Sequence, residues 1–295
     1  MPTNEQRRAT AKRKLERQLE RRAQQEKRRQ LFVVIGGIVA IAVAAALVVT
    51  FVLTNKDVKD KTASGATSTA PVESDAPTTA LPAAGGLPAF KPSANLGSNC
   101  QYPASPEPAA KKVDAPRSGK VPTSPATVSA SMSTNQGNLG LVLDNAKAPC
   151  TVNSFASLAQ KGYFNDTPCH RLTTSPSLSV LQCGDPTGNG TGGPGYQFAN
   201  EYPTDQYPPN DPALQQPVVY PRGTLAMANA GPGTNGSQFF LVYKDSQLPP
   251  NYTAFGTIDA TGLATLDKIA AGGVAGGGQD GKPATDVRIK SILLD

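Results

Sequence analysis

The sequence predicts a mainly β domain over residues 126–295, a small closed barrel capped by two helices, held behind one membrane-spanning segment and a long linker. Three observations carry this. After Ala126 many short apolar runs are bounded by turn residues, and only two stretches follow a helical period. Leu31–Leu53 is an uncharged apolar run of 23 residues. Between the two, the chain is dominated by Pro, Ala, Ser and Thr.

The first 30 residues hold 11 Lys/Arg against 4 Asp/Glu, a local charge of +7. The whole chain carries +6, so everything after Gln30 sums to −1. The basic character therefore belongs to an arm, residues 1–30, rather than to a folded surface, and no nucleic-acid partner is expected. The arm reads as a helix that meets anionic headgroups or serves only as a topogenic signal. Residues 31–53 follow. At 1.5 Å per residue a helix of this length covers the roughly 30 Å hydrocarbon core. The run is too long, and too far from the N-terminus, for a cleaved signal peptide. Its basic flank holds the N-terminus in the cytoplasm, so a single-pass protein with an extracytoplasmic domain is expected. Residues 54–125 read as a linker without a fold of their own, because such a composition buries too little apolar surface to offset the entropy of ordering. Cys100 is one place where its distal end could be tied down.

Within residues 126–295, TVSASMST (Thr127–Thr134) alternates as a strand, NQGN turns, and LGLVLD (Leu139–Asp144) is a second strand. Pro149 opens a helix in which Val152, Phe155, Leu158 and Ala159 share one face and Gly162 stops it. HRLTT, VLQCGD, GTLAMAN, SQFFLVY and AFGTI read as short strands, TGLATLDKIAAG as a helix ending at Gly272, and VRIKSILL as a closing strand. Many short strands with two helices suggest a barrel capped by helices.

Cys100, Cys150, Cys169 and Cys183 all follow the apolar run, an even number suited to two disulfides in an oxidising compartment, with three connectivities open. No C-x-x-C occurs and His170 is the sole histidine, so no metal is expected. A hydrolytic triad would need a base beside a nucleophile; His170 reads instead as a hydrogen-bonded structural residue. GNGTGG (Gly188–Gly193) matches a dinucleotide fingerprint in letters only, since Pro194-Gly195 follows where a helix must begin. No cofactor is expected.

FNDTPCHRL, GDPTGNGTGGPGYQF, GTLAMANAGPGTNGSQFF and FGTI stand in one order across Thr127–Leu294. In order and approximate spacing these segments resemble the cyclophilins, and the apolar run, Pro-rich spacer and paired cysteines resemble the membrane-anchored cyclophilins of actinobacteria. The resemblance implies an eight-stranded antiparallel closed barrel with two capping helices, and peptidyl-prolyl cis-trans isomerase activity on proline-containing polypeptides. It implies that Arg171 donates to the proline nitrogen, that Gln182 holds the guanidinium, and that Phe240 floors the proline pocket with Val180 and Leu248. Asn229 would fix the residue before proline through its backbone, with Ala228, Gln238 and Tyr252 lining or supporting the groove. The alternative reading is a proline-peptide binding module or chaperone of the same fold without useful turnover.

Three departures stand out. LTTSPSLSVL between Arg171 and Gln182 is about three residues longer than the family's segment. It lacks the family's pocket Phe, leaving Leu178 or Ser179 nearest in register. Gln247 stands where animal members carry Trp, and Tyr252 where they carry His, so only weak cyclosporin binding is expected.

Overall fold

A computed structural model describes residues 85–295. The arm, the apolar run and the first part of the linker lie outside them. Among the described residues no helix is long and apolar enough to cross a membrane.

The fold is mainly β. Strand β1 (Val128–Thr134) turns into β2 (Gly137–Leu143), paired from Val128↔Leu143 to Thr134↔Gly137. Their alternation puts Ala130, Met132, Leu139, Leu141 and Leu143 inside. Helix α1 (Pro149–Gln160) follows. Its flanking residue Ala148 offers no side-chain cap. Buried Glu201 acts instead, accepting from the backbone N–H groups of Cys150 (3.0 Å) and Thr151 (2.8 Å) and from the Thr151 hydroxyl. A carboxylate on these orphan donors also suits the positive end of the helix. Gly162, at φ 63°, ends the turn as the sequence indicated.

Then come β3 (Thr167–Pro168), β4 (Arg171–Thr173), β5 (Val180–Cys183), β6 (Val218–Tyr220), β7 (Thr224–Met227), β8 (Phe239–Val242), β9 (Ser246–Leu248) and β10 (Ala254–Ile258). Helix α2 (Ala260–Ala271), capped by Asp259 on the Gly262 N–H, precedes β11 (Asp280–Gly281) and β12 (Arg288–Leu294).

Ten strands form one sheet in the order β11-β4-β5-β8-β7-β10-β2-β1-β12-β3, and β6 pairs with β9 apart from it. The closed eight-stranded barrel expected from the sequence is therefore not what forms: the ladder has two ends, β11 and β3. The reason lies in residues 167–173. This one segment pairs with β12 through Thr167–Pro168 and with β5 through Arg171–Leu172, and bends at Cys169-His170 between them. The chain itself joins the two sides where the ladder is interrupted, and the Cys169 N–H donates to the Val287 carbonyl at the bend.

The interior is aromatic. Phe155 of α1 meets Phe164, Phe239 and Phe255 at centroid distances of 5.2–5.3 Å. Strand β8 is buried on both faces. Phe239 and Leu241 enter this main core, while Phe240 and Val242 join a smaller cluster with Val180, Tyr220 and Ala226. Period-two alternation thus assigns adjacent phenylalanines to different tasks.

Residues 85–125, expected to lack a fold, lie instead along the domain as a strap. Cys100 bonds to Cys150 of α1. Tyr102 packs edge-on against Tyr196 and Phe198, and its hydroxyl donates to the Cys150 carbonyl. Ser105, Ala110 and Val219 donate backbone hydrogen bonds to Gly195, Gly193 and Gly85 respectively. Leu87 and Phe90 cover the smaller cluster. The average composition of this stretch is that of a linker. A few anchors suffice because the domain supplies the rest of the packing surface.

Candidate active site

Eight of the nine residues singled out in the sequence line one cavity of about 240 Å³: Arg171, Val180, Gln182, Ala228, Asn229, Phe240, Leu248 and Tyr252. They come from β4, β5, β8 and β9 and from the loops after β7 and before β10. Gln238, the ninth, lines a neighbouring cavity of about 330 Å³ that shares Gln182, Ala228 and Asn229 with the first. The two cavities are successive stations of one groove.

Arg171 and Gln182 face each other in the β4–β5 register. Arg171 Nη1 donates to Gln182 Oε1 at 3.2 Å, and Gln182 Nε2 donates to Gln238 Oε1 at 2.9 Å. Gln238 in turn donates to the carbonyls of Gly190 and Gly192, both at 3.0 Å. The chain of contacts runs into the GNGTGG loop, which braces the groove. Asp185 organises that loop from below. Fully buried, it accepts from the Thr187 hydroxyl and from the Thr187 and Gly190 N–H groups at 2.7 Å. Burial pushes its pKa up, but hydrogen bonds from Thr187, Gly192 and Gly190 outweigh this and hold it below the ordinary value.

Phe240 is buried, with the Tyr252 ring edge-on at 5.8 Å and Tyr220 at 6.4 Å. The Asn229 side chain donates to the Asn251 carbonyl at 2.8 Å and to Asn235 Oδ1. Its own backbone N–H and C=O have no partner among the described residues.

The long segment before β5 resolves the question of Leu178 or Ser179. Leu178 lines the cavity. Ser179 is buried away from it, accepting nothing from the groove and donating to the Ser175 carbonyl and the Ser246 hydroxyl. Gln247 does not line the cavity; its backbone N–H donates to the Ser177 carbonyl and so secures the same segment.

His170 differs from expectation. Neither ring nitrogen makes a hydrogen bond among the described residues. Its ring lies beneath the glycine loop, 3.5 Å from where a side chain on Gly190 would begin. Burial lowers its pKa, with Asp185 pulling up and Arg171 pushing down. The hydrogen-bonded structural role expected of it from the sequence is therefore not what the structure shows.

Sequence reading missed Asp280. Its carboxylate accepts from Arg171 Nε and Nη2, both at 2.7 Å, so the guanidinium is gripped on one edge and presents Nη1 toward Gln182. No local pattern in GGGQDGKP marks this aspartate; only the β11–β4 pairing brings it there. The hydrogen bond from Arg171 holds the Asp280 carboxyl below its ordinary 3.8 despite some desolvation. The pair is therefore complete above that value and is lost as pH falls through the lower folded one. Asp280→Ala is expected to reduce kcat/KM about two- to fivefold, the scale of an exposed but bidentate pair. Asp280→Asn should retain most of the rate. Equal rates for wild type and Asp280→Ala across the pH range would show that Arg171 needs no such brace.

Two cystines flank or buttress this arrangement. Cys169–Cys183 ties the bend just before β4 to β5, the strand that carries Gln182, and Cys100–Cys150 ties down the strap.

The cyclophilin type peptidyl-prolyl cis-trans isomerase/CLD family model matches residues 129–293. The chain is a cyclophilin. It is 67% identical over 295 residues, all of both chains, to the probable peptidyl-prolyl cis-trans isomerase B of Mycobacterium leprae. It is 75% identical over 209 residues to the corresponding Mycobacterium tuberculosis protein, covering 71% of this chain and 68% of that one. A Cryptosporidium parvum cyclophilin crystal structure aligns at TM-score 0.46 and 30% identity, over 57% of this chain and 98% of that one. This cyclophilin is thus a peptidyl-prolyl cis-trans isomerase, and residues 129–293 hold the whole of its groove apart from what the strap adds.

Proposed function

We propose that this cyclophilin is anchored by residues 31–53, faces away from the cytoplasm, and speeds the folding of exported polypeptides by rotating X-Pro bonds held over Phe240. The assignment of the groove rests on one observation, the convergence on a single cavity of eight residues that the family resemblance had singled out.

The barrier to rotation, about 18–20 kcal/mol, comes from delocalisation of the nitrogen lone pair into the carbonyl. A catalyst must hold the twisted amide more tightly than either planar form. No nucleophile, acid–base pair or metal is required. In this reading the proline ring sits on Phe240 between Val180, Leu178 and Leu248. The free backbone of Asn229 pairs with the residue before it, beside Ala228 and Tyr252. Arg171 Nη1 donates to the nitrogen as its lone pair localises, and Gln182, braced by Gln238, keeps the guanidinium in place. Arginine suits this because it is always charged and planar.

The topology is tested by adding protease to intact spheroplasts. Release of a soluble domain with protection of residues 1–30 is expected; cleavage confined to inverted membranes would refute the orientation. Two cystines are consistent with an oxidising compartment. We expect cyclosporin to inhibit at least about fivefold less well than in Trp-containing cyclophilins, since Leu178 lines the cavity with less rigid apolar area than an aromatic ring and Gln247 adds none. Gln247→Trp should regain part of the loss in an inhibitor titration, and equal inhibition of both proteins would remove this position from consideration.

A further inference from the structure

The strap changes the second cavity. Ser105, Glu107 and Pro108 form one wall of the 330 Å³ space, facing a floor that includes Gly190, Gly192 and Gly193. Backbone hydrogen bonds from Ser105 to Gly195 and from Ala110 to Gly193 hold that wall against the floor on either side of Glu107. The Ser105 hydroxyl donates to the Glu107 carbonyl, which fixes the local turn. Among the described residues Glu107 is the only charged one lining the cavity. The nearest basic residue of the strap with a defined contact, Lys111, is turned away and donates to the Gly162 and Tyr163 carbonyls. Beneath the floor lies the Asp185 carboxyl, which accepts from the Gly190 N–H. The space is larger than the proline cavity, has no side chains on much of its floor, and carries one carboxylate on its wall, with the Arg171 guanidinium on the far side of Gln182.

We propose that Glu107 makes this isomerase selective for substrates with Lys or Arg at the second residue before the proline. The inference rests on the proposed reading that the residue before proline pairs with the Asn229 backbone and that the chain upstream of it runs away from Phe240. The residue preceding proline lies at Asn229, which is shared by both cavities, so the next residue upstream enters the larger one. A long cationic side chain can lay its apolar stem over the glycines and Pro108 and keep its charged end beside Glu107 at the rim, where solvent remains. The device belongs to the strap rather than to the barrel, so it is a property of this chain's residues 105–108 and not of the groove alone.

The test compares kcat/KM, by exchange NMR on the full chain, for peptides with Lys, Ala or Glu at the second residue before proline. A parallel series places the same residues immediately after proline. Wild type should prefer Lys over Glu in the first series by about two- to fivefold, the scale of one exposed ion pair. The preference should shrink at high salt, as screening requires. Glu107→Gln should bring the ratio close to one, and Glu107→Lys should invert it. Using a ratio within each variant removes any general change in rate. A Lys:Glu ratio near one in wild type, or one that ignores both Glu107 variants, would overturn the proposal. A Glu107-dependent preference seen only after proline would instead overturn the chain direction on which it rests.

Discussion

Arg171→Ala is expected to lower kcat/KM for prolyl isomerisation at least tenfold, about 1.4 kcal/mol or more of transition-state stabilisation. The reason is geometric. Among the residues lining the 240 Å³ cavity, Arg171 is the only cation, and Asp280 and Gln182 hold it from two sides. Nothing else there can meet a developing lone pair with a charged donor. Its side chain is 38% exposed and takes no part in the aromatic core, so the thermal midpoint should move little. Arg171→Lys should recover only part of the loss, because an ammonium cannot engage Asp280 on one edge and Gln182 on the other in one plane. An undiminished rate for Arg171→Ala in a protease-free isomerisation assay would exclude the proposed mechanism.

Replacing both Cys100 and Cys150 by Ala is expected to destabilise the domain by about 4 kcal/mol, from the entropy of closing a loop across that separation. The closed loop spans 50 residues of sequence and contains the whole distal half of the strap. For a domain of this size a change of that order lowers Tm by roughly 10 °C. Both sulfurs are more than a crosslink in position. Cys100 is buried, and Cys150 lies in the first turn of α1 where Glu201 accepts its N–H. Loss of the bond should also make residues 85–125 cleavable by dilute protease under native conditions. A Tm within about 2 °C of wild type, with the strap still resistant, would mean that Tyr102 and the backbone hydrogen bonds hold it unaided.

What the sequence by itself determined follows from short-range rules. The β1–β2 hairpin was legible because alternating apolar residues must share a face, and α1 because Val152, Phe155, Leu158 and Ala159 recur at helical spacing between Pro149 and Gly162. The groove residues were legible because ordered motifs resemble a family, and their cavity brings eight of the nine together. Tertiary structure alone decided the rest. It selected Cys100–Cys150 and Cys169–Cys183 from three possible connectivities. It also left the sheet open at residues 167–173, which one segment spans by bending. Asp280 reached Arg171, 109 positions away, through a two-residue strand pairing that no local pattern announces. Residues 85–125 looked like a linker because composition averages over the chain, whereas docking depends on a few side chains. Tyr102, Phe90 and Cys100 each find a surface made by distant residues. Periodicity reports which face of an element is apolar; what that face meets is set by contacts between residues far apart in the chain, and those exist only once it has folded.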